Sequence, residues 1–170
     1  AASAMSFSSQ IKAELCRQGQ KDDACARAEL AGILHTGGIF SFGSGKPALL
    51  LNTEHSDIVT RVFSLAKRCF SIDCELHRKQ GLKKIETYCI KLCFPNFPDA
   101  LDALALSLSL GIGPDEARFA ALCAPAGCQE AFLRGAFLGG GSMTDPQKAY
   151  HLEFVSGSAA VAREIWQLLC

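Results

Sequence analysis

Apolar residues recur at helical spacing in two stretches that read alike. LAGILHTGGIF starts at Leu30 and LRGAFLGGGS at Leu133, and both end in glycines. Glycine costs helix stability, so such a run after an apolar stretch marks a stop. The pattern predicts a short amphipathic helix over 6–16 with serines at its start, then a polar link over 19–23. A helix over 24–36 follows, with Asp22 and Asp23 where a helix N-terminus favours negative charge, and Gly37 and Gly38 end it. Strands are expected over 38–42 and 48–52, with a turn at 43–47. Ser56 and Asp57 start a helix whose apolar face is Ile58, Val62, Phe63, Leu65 and Ala66. Strands over 71–77 and 85–94 are joined by the loop RKQGLKK. In the second, Tyr88, Ile90, Leu92 and Phe94 alternate with Cys89, Lys91 and Cys93. Pro98 and Asp99 open a helix that runs to Gly111, and 114–123 reads as another. A helix over 128–139 ends at Gly140, Gly141 and Ser142. Strands near Ser142 and over 149–155 flank the turn TDPQK, and 157–170 is helical.

The element order restarts because the sequence does. Leu30, Gly32 and Gly38 match Leu133, Gly135 and Gly141 at an offset of 103; after one dropped residue, Leu50, Val59 and Arg61 match Leu152, Val161 and Arg163. This is a duplication of about 100 residues, and it governs the choice of fold. The second copy reaches Cys170, the counterpart of Arg68, so its second strand pair and last helix are missing from this chain. Each motif helix also carries a bare stripe at a spacing of four: Ala28, Gly32 and Thr36 on the first, Ala131, Gly135 and Gly139 on the second. Small residues at a contact let helix axes approach closely, so the two stripes are expected to face each other. The neighbouring Leu30, Leu34, Phe132, Leu133, Phe137 and Leu138 would pack into sheets on either side.

Composition limits the function classes. With 170 residues and 49% hydrophobic content, the chain can build one compact domain or two half-domains sharing a core. Its formal net charge is zero, which argues mildly against strong DNA binding by this stretch alone. Nine cysteines, an odd number with no CxxC pair, read as buried reduced thiols of a cytoplasmic protein better than as a zinc site. No cofactor is implied. GGGS lacks the preceding strand and the lysine of a phosphate loop. ALDALALSLSLGIG is too short and carries Asp102, so no membrane span is expected. AASA before Met5 looks like a tag remnant, residues 1–4.

A small-residue helix pair joined to two αββαββα halves resembles the LAGLIDADG homing-endonuclease fold, an α+β class, here with the second half incomplete. LAGILHTGG matches the nine-residue motif at Leu30, Ala31, Gly32 and Gly38, and LRGAFLGGG at Leu133, Gly135 and Gly141. AFLRGAFLGGGSMTDPQKAYHLEF and the opening SFSSQIKAELC are similar to the WhiA family of bacterial regulators, over Met5 to Cys170. The resemblance implies an N-terminal helix and link (5–22), a first half (23–124), a truncated second half (125–170), and a helix-turn-helix further on in the full-length protein. It also implies transcriptional control linked to cell division and sporulation. In the enzymes the eighth motif residue is a metal-holding acid; here Gly37 and Gly140 stand there, without an oxygen side chain for a hard cation. His35 and Leu138 replace the motif's other acid. Asp145 and Glu153 lie nearby with no counterpart in the first copy. The expectation is a scaffold without catalysis.

One segment is locally basic. Between Lys67 and Lys91, seven basic residues oppose three acids, and RKQGLKK is its sharpest part. Arg78, Lys79, Lys83, Lys84 and Lys91 are therefore the candidate DNA contacts, weak and sequence-independent. The same residues also suit a solvated hairpin tip, and a protein-docking role remains open.

Overall fold

The computed structural model describes residues 5–20, 22–108 and 113–170. The AASA head and Gly111, expected to end a helix, lie outside the described residues. Helix α1 (Phe7–Arg17) starts where the Ser6 hydroxyl accepts from the Ser9 N–H at 3.1 Å. Helix α2 (Asp23–Gly37) starts at Asp22, whose carboxylate accepts from the Cys25 N–H at 2.7 Å. Such caps satisfy otherwise unpaired first-turn donors.

Strands β1 (Gly38–Ser41) and β2 (Ala48–Thr53), helix α3 (Ser56–Phe70), strands β3 (Glu75–Gln80) and β4 (Glu86–Leu92) and helix α4 (Phe97–Ala103) complete the first half. The strands form one antiparallel sheet in the order β1-β2-β4-β3. A small hairpin, β5 (Leu106–Ser107) and β6 (Gly113–Pro114), and helix α5 (Glu116–Cys123) lead to the second half. There α6 (Cys128–Gly140), the antiparallel pair β7 (Gly141–Met143) and β8 (Leu152–Phe154), and α7 (Ala159–Leu169) repeat the order of α2 to α3.

Three expectations need correction. The helix opened at Pro98 stops at Ala103, because Ala105 takes a left-handed φ of 54° and turns the chain into β5. The third strand begins at Glu75: Ser71, at φ 54°, caps α3 and spends the residues assigned to the strand's start. That strand then runs on through Arg78, Lys79 and Gln80, the first three residues of the supposed loop RKQGLKK. Helix α3 begins at Ser56 as expected, with His55 before it.

The repeat also keeps a single offset. Gly38 pairs with Leu51 and Gly141 with Phe154; Phe40 pairs with Leu49 and Met143 with Leu152. Each correspondence is 103, and Ile58 and Val62 on α3 then match Val161 and Ile165 on α7, all buried. No residue is dropped. The apparent match of Leu50 to Leu152 and of Arg61 to Arg163 is coincidence of type, and the true counterpart of Arg61 is Glu164.

One core joins both halves. Leu30, Leu34, Leu49, Leu51, Ile58, Val62, Ile90 and Leu92 pack with Ala131, Phe132, Ala136, Leu138, Val161 and Ile165. Buried Glu29, fully inaccessible, lies among them. Its carboxylate accepts from Arg61 on α3 at 2.8 and 3.1 Å and from Arg134 on α6 at 2.7 Å. A buried charge with both oxygens met by guanidinium donors holds three helices in one register.

Candidate nucleic-acid interface

The side chains of a strand alternate, and register decides which of them share a face. Leu49, Leu51, Ile90 and Leu92 face the helices and are buried. The opposite, open face is therefore fixed by pairing: Ile39, Leu50, Lys91 and Glu75 in one row, Asn52, Cys89 and His77 in the next, Thr87 and Lys79 in the third. Lys79 and Lys91 share that face. Arg78 does not: it pairs with Tyr88, its guanidinium carbon lies 5.9 Å from the Tyr88 ring centroid, and Nη1 lies 3.9 Å from Glu86. Lys83 and Lys84 sit on the tip, where Gly81 and Ile85 close the turn and Lys84 takes φ 59°.

Ion pairs thin the patch. Lys67 pairs with Asp73 at 3.1 Å, Arg68 with Asp23 at 2.7 Å and Lys91 with Glu75 at 3.6 Å. Among the described residues, Lys79, Lys83 and Lys84 carry no carboxylate partner, and they form the free cationic tip beside exposed Leu82. Charge that is not internally neutralised is what remains for phosphate. His77, Asn52 and Thr87 on the open face were missed from sequence. All three lie within the expected strands, so alternation along them was the signal that could have found them.

The motif-helix ends stand against β2, where a Cβ at Gly37 would meet Leu51. Gly32 abuts the Phe132 carbonyl and Gly135 the Glu29 carbonyl, a reciprocal pair. Ala28 and Ala131 are fully buried beside them. Thr36 Oγ1 donates within 3.1 Å of the Ala136 carbonyl across the interface, while its counterpart Gly139 abuts the Ile33 carbonyl. A side chain at Gly37 would start 2.7 Å from Leu51 Cδ1 and 2.9 Å from the Gly139 carbonyl. At Gly140 it would strike the Val155 carbonyl. Neither position can take a carboxylate without backbone movement, since such separations are below van der Waals contact.

His35 is packed rather than ligating. Nε2 donates to the Leu104 carbonyl at 2.8 Å, the ring lies between Phe119 and Phe132, and Nδ1 has no partner. Burial pulls its pKa down to about 4, so the ring is neutral at pH 7. Glu153 is exposed and Asp145 half-buried, and Asp145 serves its own turn by accepting from the Gln147 N–H at 2.9 Å. No group of three or more His, Cys, Asp and Glu side chains suited to a metal occurs among the described residues. All nine cysteines are free thiols.

Comparison with known proteins fits this geometry. The family model described as WhiA N-terminal LAGLIDADG-like domain matches residues 23–101, and the WhiA LAGLIDADG-like domain matches 129–170. The chain belongs to the WhiA family. It is 34% identical over 177 residues to the probable cell division protein WhiA of Thermoanaerobacter sp. (strain X514), covering 97% of this chain and 54% of that protein. With its Brevibacillus brevis counterpart identity is 36% over 158 residues, covering 88% of this chain and 47% of the relative. The chain thus spans about half the length of the curated relatives it matches. The N-terminal LAGLIDADG domain of DUF199/WhiA superposes with a TM-score of 0.73 at 19% identity, over 99% of this chain and 75% of that one. Full-length DUF199/WhiA from Thermatoga maritima gives 0.67 at 23% identity, over 97% and 50%. These two show the fold: an α+β LAGLIDADG-like architecture whose second half is incomplete here. No helix among the described residues is long and apolar enough to cross a membrane.

Proposed function

We propose that this chain is the endonuclease-like, non-cleaving part of a DNA-binding transcriptional regulator of cell division, linked to sporulation in spore formers and acting at the nucleoid in the cytoplasm. We divide it into the α1 segment and link (5–22), a first half (23–124) and a second half (125–170), with a helix-turn-helix elsewhere in the full-length protein supplying specificity. The observation that carries the reading is the state of the motif-helix ends. Gly37 and Gly140 offer no oxygen to a metal, and the carbonyls of Gly139 and Val155 crowd the space a carboxylate would need. What remains is the open sheet face and the unpaired Lys79, Lys83 and Lys84, suited to phosphate contact without base readout. The relatives' name, cell division protein, fits a regulator better than a nuclease.

A second reading, a protein-docking scaffold, draws on a different surface. Tyr150, Leu152, Val155 and Trp166 are exposed on or beside β8 and α7, and exposed apolar groups suit a partner.

Fluorescence anisotropy on a short duplex, titrated across salt, separates the two. The DNA reading expects affinity that falls steeply with salt, and Lys79→Glu/Lys83→Glu/Lys84→Glu should flatten the log–log slope by about 2–3. Absence of binding at low salt favours docking. Mg2+-dependent cleavage of plasmid DNA by the pure chain would overturn both.

A further inference from the structure

Cys25 and Cys128 hold the same place in the two motif helices, 103 residues apart, and their Sγ atoms lie 3.7 Å from each other. Both are buried in the core where the first turns of α2 and α6 meet. The surroundings hold the pair in place. Cys25 Sγ lies 3.6 Å from Asp22 Oδ2 and 3.8 Å from the Ala126 carbonyl. Gly127, at φ 82°, bends the chain around the sulfur so closely that a Cβ there would sit 3.5 Å from it. Thiols in contact from two different helices need only about 1.7 Å of closure to reach bonding distance. The duplicated sequence makes this contact, because equivalent positions of a two-fold pair meet only near its axis.

We propose that Cys25 and Cys128 are a site of covalent modification: a two-electron oxidant of the hydroperoxide class closes them into a disulfide that joins the two halves. The Cys25 sulfur attacks a peroxide oxygen, the O–O bond breaks, and the reduced fragment leaves as water or alcohol with the thiol proton. Cys25 is then a sulfenic acid. The Cys128 sulfur attacks the Cys25 sulfur, the S–O bond breaks, and the hydroxide leaves as water with the Cys128 proton. Two thiols lose two electrons and two protons, and one peroxide is consumed. Cys25 takes the first step because it retains slight exposure whereas Cys128 has none. Burial also pushes the Cys25 thiol up to about 12, so thiolate is scarce and the bond forms slowly. This suits a crosslink made under sustained oxidation, not a fast sensor. Once made, it closes a loop of about 100 residues and keeps the motif helices from parting.

The test treats the folded 170-residue chain, carrying Cys170→Ser to remove the exposed thiol, with hydrogen peroxide. Free thiols are then blocked with N-ethylmaleimide and the chain is digested without reductant. The expected product is a peptide pair joining Cys25 to Cys128, lighter by two hydrogens, and a melting midpoint raised by about 5–15 °C that dithiothreitol reverses. Cys25→Ser should abolish both the linked peptide and the rise. Should that variant fold poorly, peptide mapping of the chain with Cys25 intact decides by itself. Both thiols still alkylated after exposure that oxidises other cysteines would overturn the proposal. So would a bond from Cys128 to Cys123 instead. Neither result bears on DNA binding.

Discussion

Helices α2 and α6 share one backbone design and bury opposite chemistry. Where α2 buries Glu29 and His35, the equivalent positions of α6 are Phe132 and Leu138, and where α2 has Thr36, α6 has Gly139. The difference follows from what each helix meets. Glu29 is faced by Arg61 and Arg134, and His35 by the Leu104 carbonyl. Phe132 meets the Phe119 ring edge-on at 4.9 Å. In the second half Arg61 is replaced by Glu164, which burial pushes above its ordinary carboxylate range. A duplication can therefore keep its interface symmetric while the flanks diverge, provided that each buried polar group finds its own partner.

The largest effect should come from breaking what the two helices share. Gly32→Val and Gly135→Val each drive a branched side chain into a carbonyl of the facing helix. Both should cost about 4 kcal/mol or more, and by similar amounts, so that neither folds cooperatively by circular dichroism. A large inequality between them would show that the interface is not symmetric.

The next effect attacks what they do not share. Glu29→Ala leaves Arg61 and Arg134 partly buried without their anion and should cost about 3–5 kcal/mol in urea unfolding. Replacing all three by leucine should recover most of that loss, making α2 resemble α6.

The smallest effect is read through pH. His35 has a folded pKa of about 4, against about 6.5 in an unfolded chain. Between those values the unfolded chain binds a proton that the native one refuses, so stability should fall as pH drops from 6.5 toward 4. The loss near pH 4.5 should be about 2 kcal/mol. His35→Leu, which copies Leu138, should flatten that dependence while costing about 1 kcal/mol at pH 7 through the lost bond to Leu104. An unchanged pH profile in the variant would assign the acid sensitivity elsewhere.

Much of this architecture was legible in the chain. Ser6 and Asp22 announced their helices by chemistry that acts within three residues. The matching glycines announced two copies, and the offset that links Leu30 to Leu133 also makes Cys25 and Cys128 equivalent positions. The helix opened at Pro98 stops short of Gly111 because Ala, Leu and Ser run smoothly through a point where Ala105 turns left-handed to pack Leu104 and Ala105 fully into the core. Propensity yields to burial there. The basic segment was legible as composition and illegible as a surface. One residue of strand parity sends Lys79 to the open face and Arg78 to the other, and parity follows from pairing with β4, not from local sequence.

By itself the sequence determined two copies of a glycine-striped helix and their strands, because caps, periodicity and small-residue spacing act over a few neighbours. Only the tertiary structure decided that Glu29 meets arginines 32 and 105 residues away, that two sulfurs 103 residues apart touch, and that three lysines stay unpaired. Such meetings depend on how the helices cross and the strands register, which no short stretch of chain encodes.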